Sequence, residues 1–238
     1  MRHAVRTPPR PRLQAGGAAL AIVTLVALLA LTASGWWLFA GDRGEPEIDV
    51  AVLKPMPAPI ALPEEELVTD DGETFGPADF KGKWTLLYFG YTLCPDICPV
   101  ELGALRRVGQ LLDEQHPGLA ERTQRIFISV DPERDTPKRI RDFTGYFDPA
   151  IVGATGSEAA LEAFAAPLGV GWSKRSNHYR DDSDRKETGD DYLVDHTTAI
   201  LLVDPAARLR AVFPTPHGPQ PMVDAFHRYQ QAVEDTQP

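Results

Sequence analysis

Two cysteines are the residues of this sequence best suited to carry chemistry. They are the only cysteines among 238 residues, and they stand in the segment Cys94-Pro-Asp-Ile-Cys98-Pro. Thiols this close together can form a disulfide or hold one soft metal ion. A structural disulfide is the plainest alternative, but closing so short a loop constrains the unfolded chain only weakly. The pair therefore indicates metal binding or redox chemistry.

The third ligand would decide which metal the two thiolates hold, because Cu(I) accepts two or three ligands and zinc usually takes four. Histidine is the natural candidate. We expect His116 and His227 on exposed helical positions, His217 in a proline-rich turn, and His178 beside an acidic stretch as a weak ligand. His196 directly precedes a predicted strand. The six histidines are His3, His116, His178, His196, His217 and His227. From the residues alone, the choice among them stays open.

The elements that must position these side chains follow an α/β pattern. Residues 84–90 form a short apolar and aromatic run, typical of a strand buried on both faces. Apolar side chains between residues 100 and 112 recur at helical spacing. The cysteines fall in the loop between this strand and helix, where α/β sheets usually place chemistry. Further strands are predicted at 125–130, 151–154, 198–203 and 209–213, and further helices from Thr136, from Ser157 and at 222–232.

The charge of the chain argues against nucleic acid as its main partner. The net charge is −10, and residues 1–41 carry four arginines and no acidic residue, so the remainder carries −14. A phosphate backbone needs a basic face, which this acidic body lacks. Cations and basic protein surfaces are the partners that the charge favours.

The amino-terminal region has the composition of a membrane anchor. Residues 1–15 form a basic arm, and residues 16–40 are uncharged and end in aromatic side chains. A membrane-spanning helix needs about 20 apolar residues, and the arginines favour a cytoplasmic amino terminus. A cleaved signal peptide is the alternative, although the apolar run is long for one. We expect a single-pass protein of the cell membrane, a proline-rich spacer over 41–63, and a domain over 64–238 on the periplasmic side.

Four segments together resemble the SCO/SenC family. The most specific is the cysteine loop with its flanks, Tyr88 to Leu102, and the second is the Ser129-Val-Asp-Pro-Glu-Arg-Asp-Thr136 segment. The third is Asp195-His196-Thr197, and the fourth is the entry from Gly72 to Trp84. Their order and spacing fit the family, and the resemblance covers residues 60–234.

The resemblance implies a thioredoxin-like fold, a central mixed sheet flanked by helices, and a copper site. Cys94 and Cys98 would be the thiolate ligands and His196 the imidazole ligand. Members of the family bind Cu(I), and also Cu(II), and help to build the binuclear copper centre of cytochrome c oxidase subunit II. The implied partners are that subunit and an upstream copper donor. We expect Asp96 to be an exposed loop residue, and Asp131 and Asp135 to order their loop rather than to bind metal.

Other functions use the same thiols. A thiol–disulfide oxidoreductase or a redox sensor would form a Cys94–Cys98 disulfide. Disulfide reductases normally place two residues between their cysteines, and here there are three. Thioredoxins also place a proline just before the strand opposite the active site, and the corresponding residues 196–198 of this chain contain no proline. Both differences favour metal binding and transfer over catalytic turnover, although the same thiolates can serve both. A peroxidase is disfavoured, because only Thr92 would assist the thiols.

The run from Asp181 to Asp191 has no counterpart in the expected family pattern. It holds six acidic residues against two basic ones. Charge runs are usually solvated, so we expect a hairpin tip. The alternative is a docking surface for a basic partner.

Overall fold

The computed structural model describes residues 49–176 and 192–235, together with Leu25. The rest of the predicted membrane anchor, the run from Asp181 to Asp191, and the histidines His3 and His178 lie outside the described residues. Among the helices that are described, none combines the length and apolar character that crossing a bilayer requires.

The described residues contain ten strands and five α-helices. The strands are β1 (Lys54–Ala61), β2 (Leu67–Thr69), β3 (Thr74–Phe75), β4 (Trp84–Gly90), β5 (Thr123–Ser129), β6 (Ile151–Thr155), β7 (Trp172–Ser176), β8 (Tyr192–His196), β9 (Ile200–Asp204) and β10 (Arg208–Phe213). Eight of them form one mixed sheet, as expected for an α/β protein, in the order β1-β10-β9-β4-β5-β6-β2-β3. Within this sheet, β4, β5 and β6 are parallel to one another, and the other pairs are antiparallel. The helices are α1 (Ile97–Gln115), α2 (Pro117–Ala120), α3 (Pro137–Phe147), α4 (Glu158–Ala165) and α5 (Pro219–Asp235).

Strand β4 is the centre of the core, and its predicted bounds are confirmed. All seven of its residues are buried, which a strand covered on both faces requires. It lies between β5, to which it is parallel, and β9, to which it is antiparallel. The cysteine loop follows β4 directly and leads into α1, so the best-buried strand of the sheet supports the loop that carries both thiols.

The beginnings of two helices follow from local capping signals. The Thr136 side chain accepts a hydrogen bond from the Arg139 amide at 3.3 Å, and Pro137 occupies the first turn of α3. The Ser157 side chain accepts one from the Ala160 amide at 3.2 Å at the start of α4. Both caps satisfy amide groups that a helix leaves unpaired at its amino terminus.

The predicted spacer over 41–63 differs from the structure, because residues 54–61 form β1 and belong to the domain. This strand contains Pro55, Pro57 and Pro59, and the density of proline predicted an extended tether. β1 pairs only with β10 and lies at the edge of the sheet. Proline is tolerated on an edge strand, where one side of the backbone has no partner to lose. The domain therefore begins before residue 64.

A two-stranded ribbon, β7 and β8, stands apart from the eight-stranded sheet. Its strands flank the run from Asp181 to Asp191 in the sequence, for which a hairpin tip was expected, but the strands themselves were not predicted. Its strands pair antiparallel, and Trp172 lies opposite His196. His196 is the last residue of β8, and β9 returns to the main sheet at Ile200. His196 precedes a strand, as predicted, and the structure places that strand, β9, beside β4.

A buried contact joins the first turns of α1 to the connection between β10 and α5. His217 Nδ1 lies 2.5 Å from Glu101 Oε2, and its Nε2 lies 2.9 Å from the Phe213 carbonyl oxygen. Both side chains are almost fully buried. Because a carboxylate and a carbonyl can only accept, both ring nitrogens carry protons and the ring is an imidazolium. Burial opposes this charge, but the hydrogen bonds to Glu101 and Phe213 outweigh it and raise the pKa of His217.

Replacing this imidazolium should destabilise the domain in a pH-dependent way. We expect His217→Gln to cost about 3–5 kcal/mol at pH 5.5, because it leaves the buried Glu101 carboxylate without its counter-charge. The raised pKa makes the stabilisation complete below the unfolded value of about 6.5, and it is lost as pH rises through the folded value. Urea denaturation at pH 5.5 and pH 9 measures the difference. The Glu101→Gln/His217→Gln double variant should recover stability, and a difference independent of pH would contradict the ion pair.

Candidate metal centre

The structure brings the three predicted ligands together at one site. The two sulfur atoms and one imidazole nitrogen of Cys94, Cys98 and His196 all lie within 4.8 Å of one another. Cys98 is fully buried and Cys94 is 8% exposed. Within residues 49–176 and 192–235, no other group of three or more histidine, cysteine or acidic side chains is arranged this way.

The strand β4 and the helix α1 position the cysteines. Cys94 lies in the loop after β4, and Cys98 lies in the first turn of α1, where its amide donates a hydrogen bond to Cys94 Sγ at 3.4 Å. Gly90 ends β4 directly beneath Cys98. A Cβ atom at Gly90 would lie 2.8 Å from Cys98 Sγ and 2.9 Å from the ring of Phe127. The sulfur can pack this close to the strand only because residue 90 has no side chain.

The orientation of His196 leaves one ring nitrogen available to a metal. Its Nδ1 lies 3.0 Å from the Thr197 carbonyl oxygen, and its Nε2 lies 3.4 Å from Cys98 Sγ. Because the carbonyl can only accept, Nδ1 carries the proton and the Nε2 lone pair points towards the thiols. The rings of Tyr88 and Tyr91 stand edge-on to the imidazole, with centroids 6.1 and 5.9 Å away. A hydrogen bond from the remote nitrogen of a ligating histidine is the usual way of fixing its tautomer.

The two free thiols are electrostatically unequal. A hydrogen bond from Cys98 lowers the pKa of Cys94 against the opposing effect of burial, and hydrogen bonds from the amides of Cys98 and Asp96 act in the same direction. The hydrogen bond with Cys94, together with burial, raises the pKa of Cys98. Burial also raises the pKa of Tyr88, whose hydroxyl lies 3.7 Å from Cys98 Sγ. Cys94 is therefore the more acidic of the two thiols.

This donor set fits a single soft metal ion. Metal–sulfur and metal–nitrogen bonds of about 2.0–2.3 Å place ligand atoms roughly 3.5–4.6 Å apart around one ion. The ligand atoms here lie within 4.8 Å before any adjustment. Two sulfurs and one nitrogen make a three-coordinate set, which Cu(I) accepts and which is one protein ligand short of a closed, structural zinc site.

Aspartates of the Ser129–Thr136 segment order the loops around the site, as expected. The Asp135 carboxylate accepts hydrogen bonds from the Thr92 amide at 2.7 Å, from the Thr92 hydroxyl at 2.5 Å and from the Ser129 hydroxyl at 2.5 Å. Thr92 belongs to the cysteine loop, so Asp135 ties that loop to the end of β5. Asp131 is fully buried and binds Arg134 and Tyr192. Asp96 is exposed at the start of α1 and makes no capping bond.

The other described histidines lie away from the thiols. His116 and His227 differ from the prediction, because they are half-buried rather than exposed. Their rings stack with centroids 3.8 Å apart, since α5 packs along α1 and each ring covers the face of the other. Both ring nitrogens of His217 are engaged in hydrogen bonds, one with Glu101 and one with the Phe213 carbonyl. Sequence reasoning missed Tyr88, Tyr91 and Glu101 as residues around the site, although all three adjoin the cysteine motif.

Comparison with known proteins identifies the family. The model of the SCO1/SenC family matches residues 61–231. This chain belongs to the SCO1/SenC family of copper-binding proteins. The SCO1/SenC match covers β4, the cysteine loop, the Ser129–Thr136 segment and the ribbon strand that ends at His196.

Individual SCO1/SenC relatives agree in sequence and in fold. The mitochondrial SCO2 homologue of Bos taurus is 33% identical over 211 residues, which cover 87% of this chain and 74% of the bovine protein. The copper-bound crystal structure of Arabidopsis thaliana ScoI is 32% identical, with a TM-score of 0.60 over 73% of this chain and 98% of that one. The copper-bound crystal structure of yeast Sco1 is 26% identical, with a TM-score of 0.63 over 76% and 96% of the two chains.

A side chain at residue 90 should disturb the domain and the site together. We expect Gly90→Ala to cost about 1–3 kcal/mol, because the added methyl group meets Cys98 Sγ and the Phe127 ring in a filled core. Chemical denaturation measures this loss, and copper titration should show weaker binding. Gly103→Ala is the matched control, because no atom lies within 4 Å of a Cβ at that position in α1. Equal stability of the two variants would contradict the close contact.

The two thiols should also react differently in mild acid. A cysteine in a model peptide has a pKa of about 8.5, so its alkylation is slow at pH 6. We expect Cys94 to be alkylated by iodoacetamide at pH 6 before Cys98, because its pKa is lowered and it alone has exposed surface. Mass spectrometry of digests locates the label. Cys98→Ala should slow the reaction in acid, because it removes the hydrogen bond that most lowers the pKa of Cys94, and equal labelling of both thiols would contradict the assignment.

Proposed function

We propose that this SCO1/SenC protein binds one copper ion through Cys94, Cys98 and His196 and delivers it to the binuclear copper site of cytochrome c oxidase subunit II. The observation that carries the proposal is the cluster of two sulfurs and one imidazole nitrogen within 4.8 Å. Copper is the cargo of this site. The family resemblance supplies the recipient, and the chemistry of the ligands supplies the preference for copper.

The burial of the three ligands suits a metal that must be both held and released. Cys98 is fully buried, whereas Cys94 and His196 keep contact with the surface. An incoming ligand of the recipient can therefore replace Cys94 or His196 first, while Cys98 still holds the ion. Leu93 and Val100 flank the thiols and are 47% and 59% exposed. Apolar side chains beside a transfer site provide surface that a partner can cover while water is excluded.

The ligand set also bears on the oxidation state of the ion. Thiolate sulfur is a soft donor that favours Cu(I), and imidazole nitrogen suits Cu(II) as well. We propose that Cu(I) is the form transferred and that the same three side chains also bind Cu(II). Both thiols must be deprotonated in the complex, so the affinity for copper falls as pH falls.

A second candidate function rests on the inequality of the two thiols. A Cys94 thiol of lowered pKa beside a buried Cys98 thiol of raised pKa is the arrangement of a thiol–disulfide exchange centre. Such a centre would reduce the cysteines of subunit II before copper arrives, or would sense oxidation by forming a disulfide that removes two ligands at once. Rapid turnover of a disulfide substrate by the copper-free protein would favour this function.

We also propose that the domain lies outside the cytoplasm. The basic arm over 1–15 and the apolar run over 16–40 support a single-pass anchor in the cell membrane with a cytoplasmic amino terminus. An upstream donor would supply copper on the periplasmic side, where the recipient site is assembled.

Copper titration of the reduced full-length protein tests the proposal. We expect one Cu(I) per chain, measured by competition with a chromophoric chelator. Cys94→Ser should abolish tight binding, because it removes a thiolate. His196→Ala should weaken binding by more than about 10-fold, because removal of a ligand should cost at least as much as removal of a residue that only orients one, for which the loss is about 10–100-fold.

His116→Ala is the control for loss of an imidazole, because its ring stacks on His227 away from the thiols. Its affinity for copper should match that of the unaltered protein. Binding that is indifferent to His196 would overturn the ligand set and move the function to thiol exchange. Transfer is then tested by incubating the loaded protein with the apo copper domain of subunit II and following the spectrum of the binuclear centre.

A further inference from the structure

We propose that Arg134 and Tyr192 are positioning residues for His196, and that they hold the imidazole at ligating distance from the two sulfur atoms. The inference rests on the proposed copper site, because it explains how the third ligand is held there. It assigns a role to the Ser129–Thr136 segment, which contributes no ligand.

The ribbon that carries His196 needs such a support. Its strands β7 and β8 pair with each other and not with the eight-stranded sheet. At its base, the Thr197 amide donates to the Gly171 carbonyl at 3.0 Å, and the Gly171 amide donates to the Thr197 hydroxyl at 3.1 Å. These bonds close the ribbon on itself. The cysteines, by contrast, are fixed through β4 and α1. His196 reaches the sheet only through the three residues that lead into β9, so contacts made by the ribbon help to set the distance from imidazole to sulfur.

Arg134 makes the most extensive of these contacts. Its Nε donates to Asp131 Oδ2 at 2.5 Å, and its Nη1 donates to the Tyr192 carbonyl at 2.8 Å. The guanidinium carbon also lies 3.5 Å from the ring centroid of Tyr192. The Arg134 side chain is only 8% exposed, and Asp131 is fully buried. A planar guanidinium can make these contacts together, whereas an ammonium group cannot.

The Tyr192 side chain adds further contacts at this same end of β8. Its hydroxyl donates to Asp131 Oδ1 at 2.5 Å and lies 3.2 Å from Glu133 Oε2. Lys174 of β7 adds an ion pair to Glu133 at 2.8 Å, but this pair is largely exposed and contributes little. The first residue of β8 is thus held to the Ser129–Thr136 segment by its backbone, ring and hydroxyl.

The same segment also holds the cysteine loop. Arg134 lies 5.7 Å from the ring centroid of Tyr91, and that ring packs edge-on against His196. The Tyr91 carbonyl in turn accepts a hydrogen bond from the Cys94 amide at 3.3 Å. Arg134 therefore contacts one tyrosine on the imidazole side of the site and one on the thiol side. Loss of the Arg134 contacts with these two tyrosines should displace His196 from the sulfurs without removing any ligand.

A thermodynamic cycle on copper affinity tests this role. Arg134→Lys keeps the charge but loses the planar group. We expect it to weaken Cu(I) binding about 10–100-fold in the otherwise unaltered full-length protein, the range for residues that orient metal ligands. In the His196→Ala background it should have no further effect, because the imidazole that it positions is gone. Arg139→Lys, on the exposed surface of α3, is the matched control and should leave the Cu(I) affinity unchanged in both backgrounds.

Two further readouts separate positioning from a general effect on folding. The electron paramagnetic resonance spectrum of the Cu(II) form should lose nitrogen hyperfine structure in Arg134→Lys, as it does in His196→Ala. Tyr192→Phe keeps the ring and removes only the hydroxyl bonds, so it should show a smaller loss of the same kind and carries the test if Arg134→Lys does not fold.

The outcomes are distinguishable. Equal losses from Arg134→Lys in both backgrounds, or no loss in the unaltered background, would overturn the positioning role while leaving the copper site in place. An unchanged affinity in His196→Ala alone would overturn the ligand set, and the positioning role with it.

Discussion

The close packing of the Cys98 sulfur against the end of strand β4 is the contact on which the rest of the site depends. It requires a residue without a side chain at Gly90, and it requires β4 to lie at the centre of the sheet, where both of its faces are covered. With Cys98 fixed in this way, the first turn of α1 presents the thiol and the amide of Cys98 to Cys94, and both lower the pKa of Cys94, while Cys94 and burial raise the pKa of Cys98. The inequality of the thiols follows from that placement.

Charge is balanced in buried pairs around this contact. Glu101 and His217 neutralise each other on one side of α1, and Asp131 and Arg134 do so beneath the ribbon. Buried pairs of this kind add little net stability, because desolvation offsets most of the attraction, but they fix geometry. Each pair lies where two parts of the fold meet without the backbone hydrogen bonds of a sheet between them. Their contribution is therefore the relative placement of helix, ribbon and sheet, which is what a site assembled from three separate segments needs.

The sequence predicted the parts of this structure whose causes are local. The bounds of β4, the caps at Thr136 and Ser157 and the helix after the cysteines all follow from short patterns. The strand β1 was missed because its prolines are acceptable only at a sheet edge, and sequence does not show which strand will be the edge. His196 was selected through resemblance alone, since the ribbon that brings it to the thiols forms by tertiary contacts. The partner of His217 lies 116 residues away and left no local signal.

The ligands differ in how far apart they lie along the chain. The two thiols are neighbours in any conformation, whereas His196 is separated from Cys98 by 98 residues. If copper binds as proposed, an unfolded or half-synthesised chain could hold it between the two sulfurs but would not yet offer the imidazole. Copper bound by all three side chains would therefore report a completed fold and, by mass action, stabilise it. A three-ligand site would in this way distinguish a folded protein from a chain that merely carries the cysteine motif.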